Sequence, residues 1–356
     1  MGPRPPARRT GTQLLGDIRS LIESARLRTA QAVNSGLVQL YWHIGDRIRR
    51  EILSGKRAAY GERIVSTLSR QLTADYGRGF SKESLLRMIR FVEVFPDPKI
   101  VSTLLTQLGW SHFLEIIQLK DPLRREFYAE MARLERWSVR TLQKKIGGML
   151  YERTALSKKP EQLAALELRN LREEDKLSAD LVFQDPYLLD ILGLKGAFQE
   201  KDVEAAILRE MEAFILELGA GFAFLARQKR MQVGPDDFYL DLLFYHRKLR
   251  RLVAVELKLD KFKPEDKGQM ELYLRWLDKH ERHPGEEPPI GLILCAGKSE
   301  EQVELLRLDD SGIRVAEYMT ELPSRAQLER KLHAAIALAR ERLARSGPGG
   351  RCRSAI

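Results

Sequence analysis

From Leu14 to about Leu150 the apolar positions recur at intervals of three and four, the period of amphipathic helices. Leu15, Ile18, Leu21, Ile22 and Ala25 open the pattern, and Leu37, Leu40, Tyr41, Ile44 and Ile48 continue it. Ile64, Val65, Leu68 and Leu72 mark a further helix, closed by the turn residues Asp75-Tyr76-Gly77-Arg78-Gly79. Ser81 then caps a helix carrying Leu85, Leu86, Ile89 and Val92, which stops before Pro96. Residues 151–200 read as a charged linker or hinge: Lys158-Lys159-Pro160 breaks the period, and a helix through Arg169, Arg172, Glu173 and Glu174 has little to bury. Past residue 201 the texture changes. One helix is followed by three runs of β type, over 222–232, 238–246 and 252–258, then by a helix over about 265–279 and a strand over 290–296. A short strand over 313–318 precedes Pro323 and a final helix, opened by the capping box from Ser324 to Gln327. The expected fold class is α+β. An all-α, helix-turn-helix-like domain spans 14–150 and an αβββαβ domain spans 201–322, with a disordered basic arm at 1–13 and a C-terminal helix and tail at 323–356.

The chain's 356 residues suit two domains, and 44% apolar with 31% charged residues describes a soluble protein. No apolar run approaches the roughly 18 residues of a membrane helix, and MGPRPPARRT lacks the apolar stretch of a signal peptide. Cys295 and Cys352 build neither a disulfide framework nor a zinc site, so a cytoplasmic setting is expected. Charge changes the picture more. Residues 1–160 carry 29 Lys and Arg against 15 acids, whereas 161–356 carry 31 against 35. Phosphate neutralisation dominates nucleic-acid affinity, so a basic first half joined to a slightly acidic second suits a nucleic-acid partner, although solubility charge on helical surfaces gives the same balance. The candidate contacts are Arg78, Lys82, Arg87 and Arg90, on and before the helix after Ser81, and a second basic helical face of Arg136, Arg140, Lys144 and Lys145. The first set could belong to the second helix of a helix-turn-helix, though its turn is longer than the usual three or four residues. Trp42, Trp110 and Trp137 are expected in the core.

The candidate chemistry lies in PDDFYLDLLFYHRKLRRLVAVELKLDK. Strand alternation puts Tyr239, Asp241, Leu243 and Tyr245 on one side, with Phe238, Leu240, Leu242 and Phe244 on the other. In the next strand Ala254, Glu256 and Lys258 share a face. A turn centred on Lys248-Leu249 sets Asp241 directly across from Glu256, where like charges repel. Two facing carboxylates in apolar strands imply a cation between them, and all-oxygen ligands suit Mg²⁺ or Mn²⁺. Lys258 can then position or deprotonate a water and stabilise charge on a phosphoryl group. An isolated ExK is ordinarily a solvated Lys–Glu pair; its company here argues otherwise. A third acid comes from the preceding helix, where Val203, Ile207, Met211, Phe214, Ile215 and Leu218 form a stripe with Glu204 at its edge and Glu212 as the alternate. Gln269 and Tyr273, one turn apart on the following helix, could hold a phosphate or a water at the ion. Pro235-Asp236-Asp237 is expected to be a turn outside the site.

These residues resemble a known family. The αβββαβ order with Glu204, Asp241, Glu256-Leu257-Lys258 and Gln269-x-x-x-Tyr273 is similar to the restriction-endonuclease-like fold of the PD-(D/E)XK nuclease superfamily. GFAFLARQKRMQVG, DLLFYHRKLRRLVAVELK, FKPEDKGQMELYL and IGLILC resemble its YhcG-like branch, and YWHIGDRI, YGERIVSTLSRQL, GFSKESLLRMIRF and ERWSVRTL resemble that branch's N-terminal helical domain. The likeness runs from about Asp17 to Thr320; Leu240 stands where the superfamily's name has a proline. The resemblance implies a Mg²⁺- or Mn²⁺-dependent endonuclease acting on nucleic acid, with DNA the expected substrate. Asp241, Glu256 and Glu204 would be metal ligands, and Lys258, Gln269 and Tyr273 would complete the catalytic set. Cutting both strands of a duplex would take a homodimer or two visits. A different class of function is a non-catalytic nucleic-acid-binding or regulatory protein that retains the nuclease fold.

Overall fold

The computed structural model describes residues 11–54, 58–189, 199–219, 221–320 and 324–345. The chain divides into two compact units at Lys144/Lys145. Among the described residues no helix is long and apolar enough to cross a membrane.

The first unit is helical: α1 (Gly11–Ser54), α2 (Ala58–Tyr76), α3 (Lys82–Val94), α4 (Pro98–Leu104), α5 (Trp110–Ile116), α6 (Pro122–Leu134) and α7 (Val139–Gly147). Local chemistry sets several starts. The side chains of Ser81, Asp97 and Asp121 accept from Ser84, Lys99 and Leu123 N–H, and prolines follow two of these caps. Ile48, Val65, Leu85 and Met88 form a core with Tyr41, Ile44, Leu68 and Trp110. Gly45 allows α1 and α3 to touch, since a Cβ there would lie 2.2 Å from Met88 O. Trp42 and Trp137 are buried and Trp110 is half-buried, as core tryptophans should be. The expected arm at 1–13 is only partly open to view: residues 1–10 lie outside the described residues, and 11–13 already belong to α1. The early stripe of Leu15, Ile18, Leu21 and Ile22 is exposed, and burial along α1 begins at Val38.

The second unit opens with α8 (Leu150–Arg153), α9 (Ala155–Lys158), α10 (Glu161–Glu174), α11 (Ala179–Val182) and β1 (Tyr187–Leu188). It continues through α12 (Glu200–Arg209), α13 (Met211–Leu218), β2 (Phe222–Val233), β3 (Asp236–His246), β4 (Arg251–Lys261), α14 (Pro264–His280), β5 (Ile290–Gly297), α15 (Glu300–Leu305), β6 (Ile313–Met319) and α16 (Arg325–Arg345). The sheet order is β1-β6-β5-β4-β3-β2, antiparallel among β2, β3 and β4 and parallel from β4 to β1. Leu243, Leu252, Ala254, Ile293 and Val315 form a core with Met270, Tyr273, Leu274 and Leu277 of α14. Phe222, Phe224 and Phe244 cluster with Phe214 of α13.

Two expectations need correction. Residues 151–189 are not a linker: β1 pairs with β6, Arg153 is buried against Gln184, Glu217 and the Pro186 carbonyl, and Asp185 accepts from Lys158 (2.8 Å), Lys298 (2.6 Å) and Glu317 N–H (3.0 Å). Nor does the charged helix α10 lack an apolar face: it buries Ala164, Leu168 and Leu171, so apolar packing and ion pairs together hold the segment; residues 190–198 lie outside the described residues. The single helix expected after 201 is two, broken at Glu210, whose φ of −105° and ψ of 33° leave the helical range. The C-terminal helix packs Leu328 and Leu332 on Met149, while residues 346–356 lie outside the described residues.

Candidate active site

The site grows out of a fork in the sheet. β3 and β4 pair from His246/Arg251 to Leu242/Val255 and no further, in the register that sets Asp241 against Glu256. Beyond that point β3 stays with β2 as far as Asp236, and β4 stays with β5 as far as Lys261. Asp241 and Glu256 are the first positions past the last pair. In place of a ladder bond, Leu257 N–H donates to Asp241 Oδ2 at 2.8 Å. From α14, Tyr273 Oη donates to the Tyr239 carbonyl at 3.2 Å. The fork also breaks the expected alternation along β3. Phe238 and Leu240 belong to the same core cluster as Leu243 and Tyr245, so the facing residues change parity around Asp241.

Glu256 is 6% exposed. Its Oε1 accepts from Lys258 Nζ and Gln269 Nε2, each at 3.2 Å, and its buried Oε2 has no hydrogen-bond partner. Gln269 Oε1 accepts from Lys258 Nζ at 3.4 Å, and Gln269 Nε2 also donates to Tyr273 Oη at 2.6 Å. These bonds fix the orientation of the amide: its oxygen faces the ammonium and its nitrogen faces the carboxylate. Burial pushes the Glu256 carboxyl up to about 7, the Asp241 charge adding to the rise and Lys258 opposing it. Burial also raises Asp241, offset in part by the bonds from Leu257 and from Gln228 (2.9 Å) and reinforced by the charge of Glu204. Tyr273 is raised by burial and so is a neutral donor.

Do these residues suit a cation? The unpaired, buried Oε2 beside a second carboxylate is a group whose desolvation nothing offsets, and a divalent ion would offset it. The donors are oxygens, as Mg²⁺ and Mn²⁺ prefer. Among the described residues no three His, Cys, Asp or Glu side chains gather around one point. An ion held by Asp241 and Glu256 would complete its sphere with water, as Mg²⁺ commonly does.

The fork thus brings together Asp241, Glu256, Lys258, Gln269 and Tyr273. Glu204 on α12 is buried but held by Arg227 Nε at 2.6 Å, and it reaches Asp241 only electrostatically. The side chain of Glu212 lies outside the described residues. Asp236 and Asp237 start β3 rather than forming a turn, and Asp237 pairs with Arg230, away from the fork. In the first unit Arg78, Lys82, Arg87 and Arg90 are exposed, with Arg90 3.4 Å from Glu93. Arg140 and Lys144 are exposed one turn apart on α7 and Lys145 is half-buried, but Arg136 precedes the helix at φ 52° and does not share its face. Sequence reasoning missed Gln228, Arg227 and the Leu257 N–H. Nothing in the periodicity of an edge strand marks the first two, and a main-chain donor carries no residue signature.

The αβββαβ order with an aspartate on one strand and an ExK on the next is the pattern that resembles PD-(D/E)XK nucleases. Residues 180–333 match the family described as the YhcG PDDEXK nuclease domain, and residues 17–153 match the DUF1016 N-terminal domain. The protein named "Putative nuclease YhcG" of Escherichia coli (strain K12) is 35% identical over 352 residues, covering 90% of this chain and 93% of that one. The chain belongs to the YhcG family of PD-(D/E)XK nucleases. Among solved structures, a repair endonuclease from Pyrococcus abyssi is 22% identical with a TM-score of 0.26, and EndoMS in a complex with dsDNA is 18% identical with a TM-score of 0.27. Each match covers 36% of this chain; the chain spans about half of either structure, 50% and 49%.

Proposed function

We propose that the chain is a divalent-metal-dependent endonuclease that hydrolyses phosphodiester bonds of DNA, with Asp241 and Glu256 holding Mg²⁺ or Mn²⁺. The observation that carries this reading is the buried, unpaired Oε2 of Glu256 at the mouth of the fork beside Asp241. When bound, the ion supplies Lewis-acid stabilisation of the phosphoryl oxygens and a more acidic water. Lys258, hydrogen-bonded to Glu256 and to the Gln269 carbonyl oxygen, orients the attacking water and meets the negative charge that develops as the water oxygen bonds to phosphorus and the ester P–O bond breaks. Gln269 and Tyr273 lock Glu256 and Lys258 in place through one hydrogen-bond chain ending on the Tyr239 carbonyl. Glu204 adds negative charge beside the pair.

The nucleic acid is engaged by basic helical surfaces, through Arg78, Lys82, Arg87 and Arg90 at the start and on the surface of α3, in a helix-turn-helix-like manner, and through Arg140, Lys144 and Lys145 of α7. Cleavage of both strands would use a homodimer. A cytoplasmic setting belongs to the same reading, with Cys295 a buried free thiol. The test is incubation of the full chain with labelled duplex, flap, junction and single-stranded DNA and RNA, in Mg²⁺, Mn²⁺ and EDTA. Cleavage of DNA that EDTA stops is the expected result. Tight binding without cleavage under every condition would favour the non-catalytic reading.

A further inference from the structure

β2 is the edge strand of the sheet, and it is irregular where it passes the site. Its register against β3 shifts between Phe224 and Ala226, so Leu225 is an extra residue, half exposed at 51%. Three residues further on, the ladder lapses again. Arg227 pairs with Leu242 and Lys229 with Leu240, but the pair between them, Gln228 with Asp241, is missing. Gln228 sits at φ 45°, in the left-handed region that residues with a Cβ avoid and that glutamine has no local means of favouring. Its side chain takes the place of the missing main-chain pair, with Nε2 donating to Asp241 Oδ1 at 2.9 Å.

Strain of this kind persists only where surrounding structure imposes it, and it concentrates where geometry serves a site. A glutamine with ordinary strand dihedrals at this position would pair through its backbone, with its side chain on one face of the sheet. The left-handed turn instead aims the amide along the strand pair at the carboxylate. Asp241 is then held from two sides, at Oδ2 by Leu257 N–H on β4 and at Oδ1 by the Gln228 amide on β2. Both donors leave further lone pairs on each oxygen free for an ion. Arg227 cannot substitute, because its guanidinium is engaged by Glu204.

We infer that Gln228 is a positioning residue for the metal site: its left-handed backbone and its amide preset the Asp241 carboxylate to receive a divalent cation. The inference rests on the nuclease reading above, and it is tested on the full chain by calorimetric Mn²⁺ titration together with thermal melting in EDTA. Mn²⁺ binding by the wild-type protein, lost in Glu256→Ala, establishes the site; absence of that binding overturns both the reading and the inference. Gln228→Gly accepts φ 45° without strain and lacks the amide, so it should melt at or above the wild-type temperature yet bind Mn²⁺ about 10-fold or more weakly. Gln228→Ala keeps the strain and should melt lower than the glycine variant with the same loss of affinity. Both variants binding Mn²⁺ as the wild type does would overturn the inference while leaving the nuclease reading intact. So would a loss seen in Gln228→Ala alone, which would assign the effect to the backbone and not to the amide.

Discussion

Leu257 N–H donates to Asp241 Oδ2 at 2.8 Å, where the next rung of the β3–β4 ladder would otherwise lie. One carboxylate therefore serves two ends. It satisfies a main-chain donor that the parting strands would leave unpaired, and it brings a negative charge up to Glu256. Fold and site share this residue, so substitutions here separate according to whether they keep an acceptor, a charge, or neither.

Asp241→Asn keeps an acceptor for Leu257 N–H and removes the charge. It should fold at least as stably as the wild type in EDTA and lose cleavage and Mn²⁺ binding. Asp241→Ala also leaves the N–H unpaired and should be less stable than the asparagine variant by about 1–3 kcal/mol. Denaturant unfolding alongside cleavage assays checks both, and near-wild-type cleavage by either variant would remove the proposed site.

Glu256 gives the metal-free protein a specific pH dependence. Its carboxyl titrates near 7 in the folded state against an ordinary value of 4.5, so the folded state holds a proton that the unfolded state has released. Stability in EDTA should accordingly fall as pH rises from about 4.5 through 7, by on the order of 1–3 kcal/mol. Glu256→Gln should flatten that decline and melt higher than the wild type at about pH 8. Equal pH slopes for the two proteins would show that Glu256 ionises normally.

Much of this was legible beforehand, and for identifiable reasons. The inner strands β4 and β5 and the second half of β3 announced themselves because buried β runs are nearly continuous in apolar residues, and Asp241, Glu256 and Lys258 stood out as charges inside or beside them. The segment 151–189 reads as a linker because Arg153 and Asp185 look like surface residues in a sequence; only pairing in space, Arg153 with Glu217 and Asp185 with Lys298, turns them inward. The fork was equally hidden. Alternation assumes an unbroken ladder, and neither Gln228 nor the Leu257 N–H departs from it in composition.

Asp185 should anchor that segment. Burial alone would raise its carboxyl, but the ammonium groups of Lys298 and Lys158 overcome it and hold it well below the usual carboxylate range. Asp185→Asn leaves Lys158 without this carboxylate and Lys298 with only Glu300 at 3.5 Å, and should cost about 3–5 kcal/mol near neutral pH. Because the folded state resists protonation here, this stabilisation is full above the ordinary aspartate range near 4 and is lost as pH falls below it. Acid unfolding followed by circular dichroism should show the gap between wild type and Asp185→Asn closing in that window; a constant gap would argue against the ion-pair account.

The basic surface of α3 makes a prediction about salt. Lys82 and Arg87 are exposed, whereas Arg90 is engaged by Glu93. Replacing Lys82 and Arg87 with alanine in the full chain should reduce the slope of log affinity against log salt by about 2. Arg90→Ala should change it less. Fluorescence anisotropy on duplex DNA at several salt concentrations measures this, and unchanged slopes would move the interface away from α3.

Lys258 separates chemistry from ion binding. Its ammonium lies 3.2 Å from Glu256 Oε1 and 3.4 Å from Gln269 Oε1, so it is held beside the carboxylate pair without being a ligand. Its charge serves the attacking water and the charge developing on phosphate, and it also opposes the raised pKa of Glu256. Lys258→Ala should therefore retain Mn²⁺ and DNA binding within a few-fold and lose turnover by about 10²–10³. Lys258→Arg should recover little, because a planar guanidinium cannot occupy the space of a point ammonium between a carboxylate and an amide. Paired Mn²⁺ titrations and single-turnover cleavage rates decide the matter. An active Lys258→Ala protein would refute the role, and so would one whose only defect is lost metal.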